Sequence, residues 1–171
     1  MTERPKRGTV PLILGLGNPI LSDDRVGLEV ARALHASLPA GSVAVEEAYV
    51  GGLELLHVLE GWQQVVVVDS FIDPLGPGRL APGEVTELAL AELEPTATAL
   101  SPHTAGLVQC IELGRACGLD MPTEVRVFVI GVSDPHTFGE HCTETVAAAI
   151  PRAVELIAAR VFGSGGWLEH T

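Results

Sequence analysis

Val65-Val66-Val67-Val68-Asp69 sets four β-branched residues in a row and ends on an acid. A side chain branched at Cβ is crowded against the preceding turn of a helix but packs well on a pleated surface, so the run reads as a strand. Successive strand residues point to opposite faces, and an unbroken apolar run therefore has both faces covered. Val10-Pro11-Leu12-Ile13-Leu14-Gly15-Leu16 before it and Val125 to Val132 after it repeat the pattern. Val43-Ala44-Val45 reads as a shorter strand, and Glu84 to Leu90 alternates polar and apolar as a half-exposed strand does.

Helical spacing fills the intervals. Val26, Val30, Ala33 and Leu34 recur on one face between Asp23 and Pro39, with Ser22 or Asp23 placed to cap the first turn. Gly52 to Leu59 reads as a short second helix with Leu53, Leu56 and Leu59 on one stripe, closed by Gly61. Thr104 to Cys117 is a third, and Thr143 to Val161 a long closing helix capped by Thr143. Residues 73–83 carry three prolines and three glycines and form an irregular connection. Buried strands alternating with helices predict one three-layer α/β/α domain over residues 10–162, with a mostly parallel five-stranded sheet and helices on both faces. Residues 1–9 are expected to be a flexible N-terminal segment and 163–171 a loose tail.

With 171 residues, 47% hydrophobic and 19% charged, the chain has apolar material for one core and no disordered character. Ten basic against twenty-two acidic residues give a net charge of -12, which disfavours nucleic acid and anionic membrane surfaces as partners. Cys110, Cys117 and Cys142 are odd in number and lack metal-ligand spacing, so they read as reduced thiols of a cytoplasmic protein. The apolar run after Met1 to Gly8 is too short to span a bilayer and lacks a cleavage signature.

Ligands of open α/β sheets bind at the carboxyl ends of the strands. That rule selects Asn18, Asp23 and Asp24 after the first strand, Asp69 at the end of the Val65 run, Ser101 and His103 before the third helix, and Asp134 and His136 after the last strand. Gly15-Leu16-Gly17-Asn18 resembles a dinucleotide loop only in part. The third glycine at the helix start is missing, and Asp23 and Asp24 would repel a pyrophosphate. Two carboxylates, Asp24 and Asp69, with the imidazole of His103 suit a borderline divalent ion such as nickel, cobalt or zinc, with open positions for water or substrate. The structural alternative makes Asp23 a cap, Asp69 a hydrogen-bonded strand-end acid and His103 a loop histidine. His136, His141 and Cys142 allow a second metal cluster or simply a solvated loop, and Cys110 and Cys117 fall within a predicted helix, where a thiol is core or surface rather than nucleophile.

Five motifs in order carry a resemblance. The segment from Gly15-Leu16-Gly17-Asn18 through Asp23-Asp24-Arg25-Val26-Gly27, then Gly51-Gly52-Leu53, Val67-Val68-Asp69-Ser70, Ser101-Pro102-His103-Thr104 and Ile130-Gly131-Val132, is similar to the hydrogenase maturation endopeptidases. The resemblance spans roughly residues 10–160 and implies a five-stranded sheet covered on both faces. It also implies an endopeptidase that trims the C-terminus of the nickel-iron hydrogenase large-subunit precursor, acting as a cytoplasmic monomer. Asp24, Asp69 and His103 would be both catalytic and metal-binding. The nickel would be carried by the substrate as the recognition signal, with zinc or cadmium as possible substitutes. Arg25 stands where many members have glycine, and Glu47-Ala48-Tyr49 where they have Asp-Gly-Thr. A non-cleaving protein that binds nickel or the precursor would use the same three ligands. Two nearby carboxylates are also expected to repel, raising at least one pKa unless a cation lies between them.

Overall fold

All five predicted strands and all four helices are present in the computed structural model, which describes residues 7–72, 80–93, 103–104, 106–163 and 167. Expectations for residues 1–6, most of the irregular connection, Ser101, and residues 164–166 and 168–171 lie outside those residues.

The chain runs β1 (Leu12–Leu16), α1 (Val26–Ser37), β2 (Ala44–Ala48), α2 (Leu56–Leu59), β3 (Gln64–Phe71), β4 (Val85–Leu88), α3 (Leu107–Ala116), β5 (Glu124–Gly131) and α4 (Glu144–Ile157). The strands form one sheet in the order β2-β1-β3-β5-β4. Only β4 is antiparallel, pairing Val85 with Ile130 and Leu88 with Val127. The other pairs run parallel, with Gly15 beside both Glu47 and Val68, and Asp69 beside Val129.

Alternation of side chains divides the core into two layers. Leu12, Leu14, Leu16, Val65 and Val67 pack against Leu55 and Leu59 on one face, together with Leu107, Cys110 and Ile111 of α3. Ile13, Val66, Val68, Phe128 and Ile130 pack on the other face against Val26, Val30 and Leu34 of α1 and Val146, Ala153 and Ile157 of α4. Val65 to Val68 are wholly buried, each contributing about 1.5–3 kcal/mol of burial. Among the described residues no helix is long and apolar enough to cross a membrane.

Several boundaries shift. β2 extends through Glu46 and Glu47 because pairing with β1 from Leu12 to Leu16 sets its length, overriding its acidic composition. The predicted second helix begins as a 3-10 turn, Gly52–Leu55. With three residues per turn the stripe changes phase, so Leu55 is buried and Leu53, expected inside, is 59% exposed. Helix α3 starts only at Leu107, after Gly106 at φ 85°. The closing helix ends its α-helical geometry at Ile157 and widens into a π turn over Ala158–Phe162.

After β1 the chain turns outward to β2, and after β3 it leaves toward β5 and β4. The carboxyl ends of β1 and β3 thus lie side by side with connections departing in opposite directions, which opens a crevice.

Candidate active site

Glycines bring the crevice together. A Cβ on Gly27, the second residue of α1, would overlap the carbonyl oxygens of Leu16 and Val68, so the helix start is pressed onto the ends of β1 and β3 at once. Gly17, at φ 142°, lies against the backbone of Asp24 in the same way. The pair Gly15 and Gly17 therefore serves close packing rather than phosphate binding.

Asp23 and Asp24 occupy a 3-10 turn, Asp23–Arg25, and diverge. Asp23 does not cap α1. Its Oδ2 accepts from the N–H groups of Ser133 (3.1 Å) and Asp134 (2.9 Å) and from the hydroxyls of Ser133 and Thr143, and its Oδ1 accepts the Thr143 N–H at 2.7 Å. Burial works to raise its pKa, but these donors outweigh it and hold the carboxyl below the usual range. Ser22 donates to the His141 carbonyl instead of capping, and Thr143, at the cap position of α4, spends its hydroxyl on Asp23.

Asp24 faces the crevice and is 6% exposed. Its Oδ1 accepts the Ser70 hydroxyl at 2.9 Å, its Oδ2 lies 3.1 Å from His103 Nε2, and the Asn18 backbone N–H also reaches the carboxylate. Asp69 is fully buried; its Oδ1 accepts the Ser70 N–H at 2.8 Å and its Oδ2 the Thr104 hydroxyl at 3.0 Å. Consecutive residues of β3 point to opposite faces, so Asp69 meets the segment before α3 while Ser70 meets the segment before α1. Burial pushes Asp24 up, but the hydrogen bonds from His103 and Ser70 and the charge of His103 bring it down. His103 is raised by its bond to Asp24, against burial, with the charges of Asp69 and Asp24 adding to the effect. The rise in pKa expected from carboxylate repulsion is not found at Asp24, whose hydrogen bonds from His103 and Ser70 hold it below its ordinary value.

The structure brings Asp24, Asp69 and His103 to one crevice, with Asp24 turned to His103 and Asp69 to Ser70 and Thr104. Among the described residues no three His, Cys, Asp or Glu side chains stand as a ready metal-holding group. His136, His141 and Cys142, the second cluster the sequence allowed, are not drawn together either: His136 and His141 are exposed and Cys142 is half-buried. Asp134 accepts the Thr137 N–H and shapes a turn. Arg25 donates to the Gly139 carbonyl at 3.1 Å, and its Nε stands 3.1 Å from Glu29. Glu47 pairs with both guanidinium arms of Arg32, at 2.6 and 2.7 Å, and accepts the Tyr49 hydroxyl, so it belongs to the α1 face of the sheet. Burial lifts the Cys110 thiol, and burial with the charges of Glu29 and Asp23 lifts Cys142 to about 12. Ser70 and Thr104 were not foreseen as carboxylate donors; their position directly after Asp69 and His103 was the available signal.

Comparison with known proteins identifies the family. The family model for hydrogenase maturation proteases matches residues 28–160, which include Asp69 and His103 and begin just after Asp24. The chain is 29% identical over 159 residues to the hydrogenase 2 maturation protease of Escherichia coli, covering 90% of this chain and 92% of that protein. In three dimensions it is similar to the hydrogenase maturating endopeptidase HybD from E. coli, with a TM-score of 0.72 at 25% identity, covering 92% and 94% of the two chains. The fold is also that of the [NiFe] hydrogenase maturation protease HybD from Thermococcus kodakarensis, with a TM-score of 0.66 at 24% identity over 86% of this chain and 96% of that one. With a family model that matches most of its length and a fold shared with solved members, the chain belongs to the hydrogenase maturation protease family and is a hydrolase of the endopeptidase type.

Proposed function

We propose that this protein removes a C-terminal peptide from the large-subunit precursor of a nickel-iron hydrogenase, and that Asp24, Asp69 and His103 receive the nickel the precursor carries. The observation that supports this most directly is the contact between Asp24 and His103 across 79 residues of sequence, beside the buried Asp69. An imidazole and two carboxylates match the donor preference of a borderline divalent ion. Their present partners are side chains that can rotate: His103 and Asp24 hold each other, and Asp69 is held in part by the Thr104 hydroxyl. A substrate-borne cation takes the place of the contact between His103 and Asp24 and draws all three side chains to itself. Docked there, the metal brings the scissile amide into the crevice and polarises a water or the carbonyl; water adds to the carbonyl carbon, the C–N bond breaks, and the peptide leaves as an amine. This route uses no thiol of the chain.

The test is incubation with precursor prepared with and without nickel, read by the mass of the large subunit and by binding titration. Cleavage of the loaded form, bound roughly 5- to 150-fold more tightly than the metal-free form, is the expected result. Equal affinity and equal cleavage of both forms would reject nickel as the signal. Tight binding with no loss of mass would leave only the accessory-protein reading.

A further inference from the structure

Six large apolar side chains stand out as exposed among the described residues: Ile20, Tyr49, Val50, Leu53, Leu113 and Phe138. All but Leu113 lie on connections that leave the carboxyl ends of strands, around the crevice. They fall into two groups. Ile20 and Phe138 sit on abutting segments, joined by the Leu21–Phe138 bridge and by the Gly139 N–H donated to the Ile20 carbonyl, in the loop that leads to Asp24. Tyr49, Val50 and Leu53 follow β2, where the Gly17 N–H bonds the Ala48 carbonyl and Gly52 abuts Gly106, three residues beyond His103. One group therefore flanks the Asp24 side of the crevice and the other the His103 side.

The exposure is built in. Phe138 is 78% exposed, yet its backbone is pinned by the bridge to Leu21, by the Ser22 N–H on the Thr137 carbonyl, and by Arg25. The Arg25 side chain is 13% exposed and bonds the Gly139 carbonyl from beneath. In the group after β2, the Tyr49 hydroxyl is tied to Glu47, which Arg32 of α1 also holds. Apolar side chains exposed on a pinned backbone are unfavourable in water and are characteristic of contact surfaces, where aromatic side chains act as anchors.

We propose that these two groups form the docking rim for the folded body of the polypeptide substrate, with Phe138 the anchor and Arg25 the residue that positions it; this rests on the protease reading above. A rim at strand ends offers side-chain surface rather than a row of backbone donors and acceptors, so it fits a folded protein more than an extended peptide. The net charge of -12 and the carboxylates Asp24 and Asp69 in the crevice suit a partner that brings a cation to the site and lays an apolar surface on the rim, as a metal-loaded precursor would.

The experiment measures kcat and KM on the nickel-loaded large-subunit precursor from the same organism for the full chain and for Phe138→Ala, Arg25→Ala and Leu113→Ala. Phe138→Ala should raise KM about tenfold or more with kcat nearly unchanged, as loss of an anchor does, while Leu113→Ala changes neither. Arg25→Ala should raise KM by a smaller factor; an unchanged KM overturns the part given to Arg25. If the wild type cleaves and Phe138→Ala leaves KM unaltered, the rim is overturned and the protease reading stands. If the wild type does not cleave the precursor, both fall. Sedimentation showing a dimer that Phe138→Ala splits, with KM unchanged, would make the rim a self-association surface and overturn the proposal.

Discussion

Asp23 and Asp24, consecutive buried carboxylates in the turn before α1, face different surroundings: Asp23 the entrance to α4, Asp24 the end of β3. Three of the donors to Asp23 are backbone N–H groups of Ser133, Asp134 and Thr143. Asp24 is held by the side chains of Ser70 and His103 and by one N–H, from Asn18. Backbone donors cannot turn away without moving the chain, whereas a hydroxyl or an imidazole can rotate. The first site is a staple joining α1, β5 and α4. The second can exchange its partners for a ligand.

The sharpest way to break this comparison is to remove the staple. Asp23→Ala strands three backbone N–H groups and two hydroxyls in a partly buried loop, and should cost about 3 kcal/mol or more in urea unfolding. A loss below about 1 kcal/mol would mean that water replaces the carboxylate and the two aspartates are not distinct.

Next come Asp24→Asn and His103→Ala, for which the expectation is reversed. Unfolding free energy should stay within about 1 kcal/mol of wild type, while precursor processing, followed by mass, falls by about a hundredfold or more. A variant that unfolds, or one that processes normally, would show that the crevice is structural after all.

Ser70→Ala sharpens the comparison further, because it removes one rotatable donor from Asp24 and leaves the Ser70 N–H on Asp69. A loss of about 0.5–1.5 kcal/mol in stability is expected, with a decline in processing smaller than that of His103→Ala. Joint replacement of Cys110, Cys117 and Cys142 by Ala should change processing by no more than a few-fold, since burial keeps the thiols of Cys110 and Cys142 protonated at neutral pH.

The smallest effect belongs to Glu47, far from both aspartate sites in role. Its pKa is lowered chiefly by the bond from Arg32, so the stabilisation is present above the carboxylate's unfolded pKa and is lost as pH falls through the lower folded value. The pair is partly exposed, with the Arg32 side chain half accessible. Glu47→Gln should therefore cost less than about 1 kcal/mol at pH 7, and the gap to wild type should close in urea titrations taken below pH ~4. A gap that persists there would place the contribution of Glu47 in packing rather than charge.

Much of the fold was legible because the signals are local. Four β-branched residues at Val65 to Val68 can hardly be anything but a strand, and the spacing of Val26, Val30 and Leu34 marks a helix whatever surrounds it. The second helix was harder to read. A 3-10 turn over Gly52–Leu55 shifts the phase by a fraction of a turn, enough to turn Leu53 outward and Leu55 into the core, where it packs with residues distant in sequence. Capping failed for a similar reason: Ser22, Asp23 and Thr143 all have capping chemistry, but each had a partner more than a hundred residues away.

By itself the sequence determined the strand and helix content, the parallel class of the sheet, and the rule that polar residues at strand ends form the site. That rule put Asp24, Asp69 and His103 among eight nominated residues, and the family resemblance set the three apart. Only the tertiary structure decided that Asp23 is a staple while Asp24 faces the crevice, that Ser70 and Thr104 hold the two carboxylates, and that Arg25 fixes the loop of Phe138. Periodicity and branching act within a few residues. The choice among competing hydrogen-bond donors is made across 46 residues for Ser70 and Asp24, 79 for His103 and Asp24, and 120 for Thr143 and Asp23, where only packing sets who is within reach.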